Sequence, residues 1–250
     1  MQTWKGFTPI LVYDKAQEDK SVYSFYLRPF DGSSLPDYIP GQFIAIKFCT
    51  PDGGCSKARA YSLSAKPHEK YYRVSIKKAE NGDVSALMCD TVKKGDVVQI
   101  TAPSGKFVLK ESAAPLVLIG GGIGITPMIT MAASASNTGR PVHLIYSAQN
   151  SYRHAFKEEI SRLVEKSDNI KLTTIYTRPL PDDKLGVNHD LEGRLTQDWV
   201  NNELPQDGEY YFCGPTPFMK SVYHFLKEKG IPREAVNFEV FEAGVDITAD

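Results

Sequence analysis

Four glycines fall within five positions at Gly120-Gly121-Gly122-Ile123-Gly124, directly after the apolar run Leu116-Val117-Leu118-Ile119 and before Ile125-Thr126-Pro127. An uninterrupted apolar run suits a strand buried on both faces. Thr-Pro is the order expected for a helix N-cap and first turn. Strand, glycine turn and helix start is how many α/β folds bring backbone N–H groups up to a phosphate. Glycine serves there because a side chain would hold the ligand away and because positive φ is open to it. The same pattern also suits a tight turn with no ligand, so the rest of the chain must decide.

Residues 6–110 read mostly as strand. Ser21–Leu27 is aromatic and β-branched and ends at the turn Asp31-Gly32-Ser33-Ser34. Pro40-Gly41 opens the run Gln42–Phe48, and Pro51-Asp52-Gly53-Gly54 closes it. Ala58–Ser64, Tyr72–Lys77 and Val97–Ile100 follow. Many short strands between turn signals predict a small antiparallel barrel. One stretch departs from this pattern: Asn81–Met88 reads as a turn and a short helix, with Gly82 and the polar residues after it aiming donors at the helix start. Within Arg59-Ala60-Tyr61-Ser62, strand alternation puts Arg59 and Tyr61 on one face and Ala60 and Ser62 on the other. A guanidinium can clamp a phosphate, a phenol ring can pack on an isoalloxazine, and a hydroxyl can bond a ring nitrogen.

After Ala113-Ala114-Pro115 the texture changes. Apolar runs at Leu116–Ile119, Val142–Tyr146, Lys171–Tyr176, Tyr210–Phe212 and Val236–Glu239 alternate with helical stretches, the mark of a parallel sheet. Helices are expected over Pro127–Ala135, His154–Lys166, Thr196–Asn201 and Pro217–Lys229. Arg178–Asp190, with Pro179, Pro181 and Gly186, reads as a long loop. Two features depart from the usual dinucleotide fingerprint. The third glycine of G-x-G-x-x-G is missing after Gly124, and Tyr146-Ser147-Ala148-Gln149 ends its strand with no acidic residue for a ribose.

A strand with Arg-x-Tyr-Ser, a Gly-x-x-Ser turn and helix, and a glycine-rich turn ending in Thr-Pro, in that order, resemble the ferredoxin–NADP reductase superfamily, in particular the reductase region of flavohaemoglobins. Trp4–Pro9, Pro40-Gly41-Gln42-Phe43, His154-Ala155-Phe156, Phe212-Cys213-Gly214-Pro215 and Phe238–Phe241 extend the likeness over almost the whole chain. The resemblance implies two domains: an antiparallel β-barrel FAD-binding domain over 1–111, then an α/β parallel-sheet nucleotide-binding domain over 112–250. It implies FAD held by Phe43, Arg59, Ala60, Tyr61, Ser62, Ile76, Lys77, Gly82, Val84 and Ser85, with Arg59 on phosphate and Ser62 near the reactive nitrogen. It implies NADH, with NADPH as an alternative, along Gly121, Gly122, Ile123, Gly124, Thr126 and Pro127 and against Cys213, Gly214 and Pro215. Thr126 and Cys213 would flank the nicotinamide, and Glu239 and Phe241 the flavin. Phe43 stands where flavohaemoglobins usually carry Tyr, which removes one hydrogen bond.

The implied activity is electron transfer from NAD(P)H through flavin to an acceptor. The chain starts where a flavohaemoglobin's globin region ends, and neither end carries the cysteine cluster of a plant-type iron–sulfur domain. The acceptor is therefore expected to be a separate protein, such as a globin, ferredoxin or oxygenase component. Two other readings compete: a flavin reductase that releases reduced flavin, and a non-catalytic cofactor-binding subunit of a larger complex. A net charge of −1 implies no general attraction to nucleic acid. No apolar run approaches the roughly 20 residues of a membrane helix, and Met1–Gly6 lacks the regions of a signal peptide, so a cytoplasmic location is expected. No two of Cys49, Cys55, Cys89 and Cys213 have C-x-x-C spacing, and no metal site is expected. Cys49 and Cys55 lie close enough to meet across a hairpin, but reduced thiols are expected in the cytosol.

Overall fold

The computed structural model describes residues 4–49, 54–80, 84–242 and 244–249. The chain divides into two compact units, with the division between Leu109 and Lys110.

The first unit holds β1 (Thr8–Gln17), β2 (Val22–Arg28), β3 (Phe43–Lys47), β4 (Arg59–Ser62), β5 (Tyr72–Lys77), the helix α1 (Val84–Thr91) and β6 (Val97–Ile100). All neighbouring strands are antiparallel, in the order β4-β3-β6-β1-β2-β5. A bridge between Leu63 and Val74 joins the two ends of this order, and Ser64 N–H donates to Arg73 O at 2.8 Å. The sheet thereby closes into the expected barrel, which leaves fewer unpaired edge groups. Ile10, Val12, Phe25, Ile44, Ile46, Val74, Val98 and Ile100 fill its interior. β1 gives little warning in the sequence, because Asp14, Lys15 and Gln17 break its apolar pattern after Val12.

The expectation of reduced thiols at Cys49 and Cys55 is corrected: the two are joined in a disulfide. The β3–β4 hairpin supplies the reason. Phe48 and Ser56 are tied by a backbone bond of 2.8 Å, and Cys49 and Cys55 then face each other with Cα atoms 4.0 Å apart.

The second unit alternates strand and helix: β7 (Leu116–Gly121), α2 (Ile125–Ala135), β8 (Val142–Ala148), α3 (Lys157–Glu165), β9 (Ile170–Tyr176), β10 (Leu191–Glu192), α4 (Gln197–Glu203), β11 (Glu209–Cys213), α5 (Thr216–Glu228) and β12 (Val236–Phe238). The strands are parallel throughout, in the order β10-β9-β8-β7-β11-β12. The chain builds outward from β7 to β10, then returns to lay β11 on the other side of β7. That reversal makes the gap between β7 and β11 a topological switch point, where open α/β sheets receive ligands at the strands' carboxyl ends. At the opposite, amino-terminal end of the sheet, Arg140 donates to the Glu209 carboxylate at 2.7 Å, to Ala114 O at 2.7 Å and to Lys110 O at 3.3 Å. This largely buried pair fixes residues 110–114 to the sheet.

Two helix starts differ from expectation. Thr126 is not an N-cap: a 3-10 turn over Gly122–Gly124 runs straight into α2, Gly124 is the cap, and the Thr126 hydroxyl instead donates to Ile123 O at 2.9 Å. His154 is not in a helix. α3 begins only at Lys157, because Phe156 takes a left-handed conformation with φ 61° and interrupts the chain. Thr196 does cap α4, accepting from Trp199 N–H at 3.3 Å. Among the described residues, no helix is long and apolar enough to cross a membrane.

Candidate functional site

The nucleotide end of the second unit is assembled from backbone. Gly120 pairs with Cys213 across β7 and β11. A Cβ on Gly124 would overlap the Cys213 carbonyl. A Cβ on Gly120 would come within 2.8 Å of Ile125 Cα, one on Gly121 within 2.8 Å of the Phe218 ring, and one on Gly214 within 2.7 Å of that same ring. These glycines are therefore required first by packing within the protein, which revises the expectation that they chiefly make room for a ligand. Gly122 differs: its φ is +53° and no atom stands within 4 Å of where a Cβ would be. There the backbone conformation is the constraint. Phe218, on α5, was not expected at this site; its spacing within an amphipathic helix reads as ordinary core.

Solvent reaches Gly122, Ile123, Gly214 and Pro215, whereas Gly121, Gly124, Thr126, Pro127 and Cys213 are buried behind them. Amide groups in the first turn of a helix lack intrahelical partners, so the Gly122–Gly124 turn offers donors to an anion at this lip. The Cys213 side chain is fully buried. Burial pushes its thiol well above the ordinary range, the Glu239 carboxylate adds to this, and the Gly214 N–H opposes it. Cys213 is thus a neutral thiol. Glu239 follows β12, its N–H donating to Phe212 O at 3.4 Å, and Phe241 beyond it is about half exposed.

Farther along the same sheet edge, His154, Tyr176 and His189 form a buried stack. His154 Nδ1 lies 2.8 Å from the Tyr176 hydroxyl, and the His189 ring stacks on Tyr176 with centroids 4.7 Å apart. Asp183 accepts from Leu180 N–H at 2.9 Å and from Ser151 N–H at 3.2 Å, joining the loops that follow β9 and β8. Burial raises the Asp183 pKa, but those hydrogen bonds outweigh it and hold the carboxyl below its usual range. The sequence signals pointing here are the His154-Ala155-Phe156 motif and the long loop Arg178–Asp190, which carries Asp183 and His189.

In the first unit the predicted residues gather on β3, β4, β5 and α1. Phe43 pairs with Ser62, and its ring packs over Gly105. Along β4 exposure falls steadily instead of alternating: Arg59 and Ala60 are exposed, Tyr61 is half-buried and Ser62 is buried. The strand starts at an unpaired edge and ends where the barrel closes. The Ile76 side chain belongs to the barrel core, so only its backbone is available to a ligand, while Lys77 is exposed. The Ser85 hydroxyl oxygen accepts from Ala79 N–H at 3.2 Å, which leaves its O–H as a donor. Gly82 lies outside the described residues.

These residues fit the groups that the sequence implies. Ser62 Oγ is buried with no hydrogen-bond partner among the described residues, and such a hydroxyl calls for one. A flavin ring heteroatom would supply it. In the second unit the exposed lip at the start of a helical turn fits a phosphate.

The comparisons with known proteins follow the same division. The family described as Oxidoreductase FAD-binding domain matches residues 10–109, and that described as Oxidoreductase NAD-binding domain matches residues 118–224. The chain is 38% identical over 241 residues to a flavohemoprotein of Deinococcus radiodurans, covering 95% of this chain and 60% of that protein. It is 37% identical over 247 residues to one from Bacillus thuringiensis, covering 95% of this chain and 61% of that protein. The chain thus spans about 60% of the length of the curated relatives it matches. Among solved structures, the flavohem-like FAD/NAD-binding domain of nitric oxide dioxygenase from Vibrio cholerae superposes with a TM-score of 0.83 at 31% identity, covering 93% of this chain and 97% of that one. Phthalate dioxygenase reductase, described as a modular structure for electron transfer from pyridine nucleotides to [2Fe-2S], superposes with a TM-score of 0.75 at 26% identity, covering 96% and 70%.

Proposed function

Since the chain belongs to the ferredoxin–NADP reductase superfamily of FAD- and NAD-binding oxidoreductases, we propose that this NAD(P)H-dependent flavoprotein reductase passes electrons from NADH to a separate redox protein, of the globin, ferredoxin or oxygenase-component class. The observation that carries the reading is the apposition of Gly120–Gly124 with Cys213-Gly214 at the sheet's switch point. It leaves a pyridine nucleotide a lip of amide donors over a dry, uncharged floor.

FAD, when bound, supplies the exchange between a two-electron donor and a one-electron acceptor. The protein's part is to bind, orient and exclude water. Arg59 offers a guanidinium for a flavin phosphate, and Val84 and Ser85, with Gly82 before them in sequence, offer the amide end of α1. Tyr61 gives a half-buried ring for packing, and Ser62 holds a hydroxyl with its bond unspent. In the second unit the Gly122–Gly124 amides take the nucleotide phosphates. Thr126 fixes the turn through its bond to Ile123 O. The Cys213 thiol, buried behind the lip and kept protonated by that burial, puts no charge beneath the nicotinamide. Glu239 adds to the rise that burial gives the thiol's pKa, and Phe241 offers a half-exposed ring to an aromatic face.

NADH is favoured over NADPH by Asp183. Its carboxylate stands among the loops that carry Arg153 and Arg178, where a negative charge opposes a 2′-phosphate. Stopped-flow reduction of the flavoprotein by each nucleotide tests this, with NADH expected to be faster.

The test of the function is anaerobic. NADH is expected to bleach the flavin absorbance of protein that has kept its colour through gel filtration. The reduced protein is then expected to reoxidise on addition of a ferric globin or an oxidised [2Fe–2S] protein. Flavin that elutes free, with activity only toward added FMN or riboflavin, would instead make the protein a flavin reductase.

A further inference from the structure

Helix α1 is anchored at one end by a residue far from it in sequence. Lys15, on β1, donates from Nζ to Cys89 O at 2.6 Å and to Val92 O at 2.8 Å. Those carbonyls belong to the C-terminal end of α1, whose own last turn carries no basic residue. The ammonium sits over the rings of Tyr23 and Phe25, 5.3 and 5.2 Å from their centroids, so its half-buried position has compensating partners. Two further ties reach the same end. The Cys89 thiol, pushed up to about 11 by burial and so protonated, lies 3.9 Å from Ile76 O. Lys78 pairs with Asp90 at 2.6 Å. A positive charge at a helix C-terminus completes the macrodipole and satisfies carbonyls that have no intrahelical donor.

Taking α1's amide end as the flavin pyrophosphate contact, as in the function proposed above, we infer that Lys15 is a positioning residue for FAD. It clamps the carbonyl end of α1 to the barrel wall, and that clamp sets where the Val84 and Ser85 amides point. The helix is only eight residues long, so a tilt at one end is passed to the other with nothing to absorb it.

The experiment compares the affinities of the apoprotein for FAD and FMN by flavin fluorescence quenching. FMN lacks the pyrophosphate, so the FAD:FMN ratio separates a shifted helix from a generally weakened barrel. Lys15→Met is expected to weaken FAD about 3- to 10-fold and FMN less than about twofold, with Lys15→Arg restoring the ratio. Where Lys15→Met does not accumulate folded, Lys15→Gln serves in the same comparison. The control is Val84→Pro, which removes an amide donor at a helix position that tolerates proline. Equal loss of FAD and FMN in the Lys15 variants, or no loss, with a changed ratio in Val84→Pro, would overturn the role of Lys15 and leave the pyrophosphate reading standing. An unchanged ratio in both would remove the pyrophosphate reading and Lys15's role together.

Discussion

The two units build their ligand surfaces in opposite ways. In the second, the site is backbone: Gly120, Gly121, Gly124 and Gly214 are small because Ile125, Phe218 and the Cys213 carbonyl already occupy the space beside them. In the first, the candidate site is side chains: Arg59, Tyr61 and Ser62 lie on a strand whose first two residues are exposed. Fold and site are therefore inseparable in the nucleotide unit and separable in the flavin unit. Substitutions should divide along that line, with stability lost in one and ligand lost in the other.

The largest effect is expected at Gly124. A methyl there would overlap the Cys213 backbone, and relief requires α2 and β11 to part. Gly124→Ala should cost more than about 3 kcal/mol, read from urea unfolding of the full chain. A loss under about 1 kcal/mol would show that the switch point has slack, and the contrast between the units would fail.

Next comes acid. His143 and His154 are both buried in the second unit, and burial lowers each to about 4. The unfolded chain binds protons at these sites near 6.5, where the folded protein does not. Stability from each is thus fully present above about pH 6.5 and is lost as pH falls toward 4, by up to about 3 kcal/mol each. Unfolding midpoints at pH 7, 6 and 5 should fall, and His154→Phe should flatten that fall. An unchanged profile in the variant would move the titration elsewhere.

A third effect concerns ligand alone. Arg59→Ala should weaken FAD about 10- to 100-fold, the range for a charge-assisted hydrogen bond, while the unfolding midpoint stays put. Unchanged flavin occupancy would take Arg59 out of the site; a lowered midpoint would mean that the flavin strand is not separable from its barrel.

The smallest is a control on the first. Gly122→Ala meets no atom, and only the positive φ opposes it. It should cost about 1 kcal/mol, well below Gly124→Ala, two residues away. Similar losses at both positions would mean that conformation, and not packing, explains the glycines.

Much of this was legible in the sequence because period and punctuation were strong. The parallel strands of the second unit are long apolar runs, and the barrel strands stand between turn residues. The less legible parts have two causes, local backbone conformation and tertiary partners that override a local signal. Thr126-Pro127 looked like a cap, yet the glycines before it already form a helical turn. His154 looked helical because Phe156, Ile160, Leu163 and Val164 are periodic, but Phe156 turns left-handed. β10 is two residues long and pairs with β9 alone. Alternation failed along β4, since exposure there follows distance from the barrel's closure. Lys15 had no readable role in advance, as its partners lie 74 and 77 residues away.

The Cys49–Cys55 crosslink has a consequence for the strand that follows it. From the Ile46–Arg59 pair to the cysteines, β3's side spends two residues, Lys47 and Phe48, and β4's side spends three, Ser56, Lys57 and Ala58. The hairpin thus carries an odd residue, a bulge, on the side leading into Arg59. A strand that slips by one residue exchanges its two faces, and a slip here would turn Arg59 and Tyr61 to where Ala60 and Ser62 now point. The covalent tie fixes the count on both sides of the bulge and so works as a register stop for Arg59–Ser62, the four residues proposed to address the flavin.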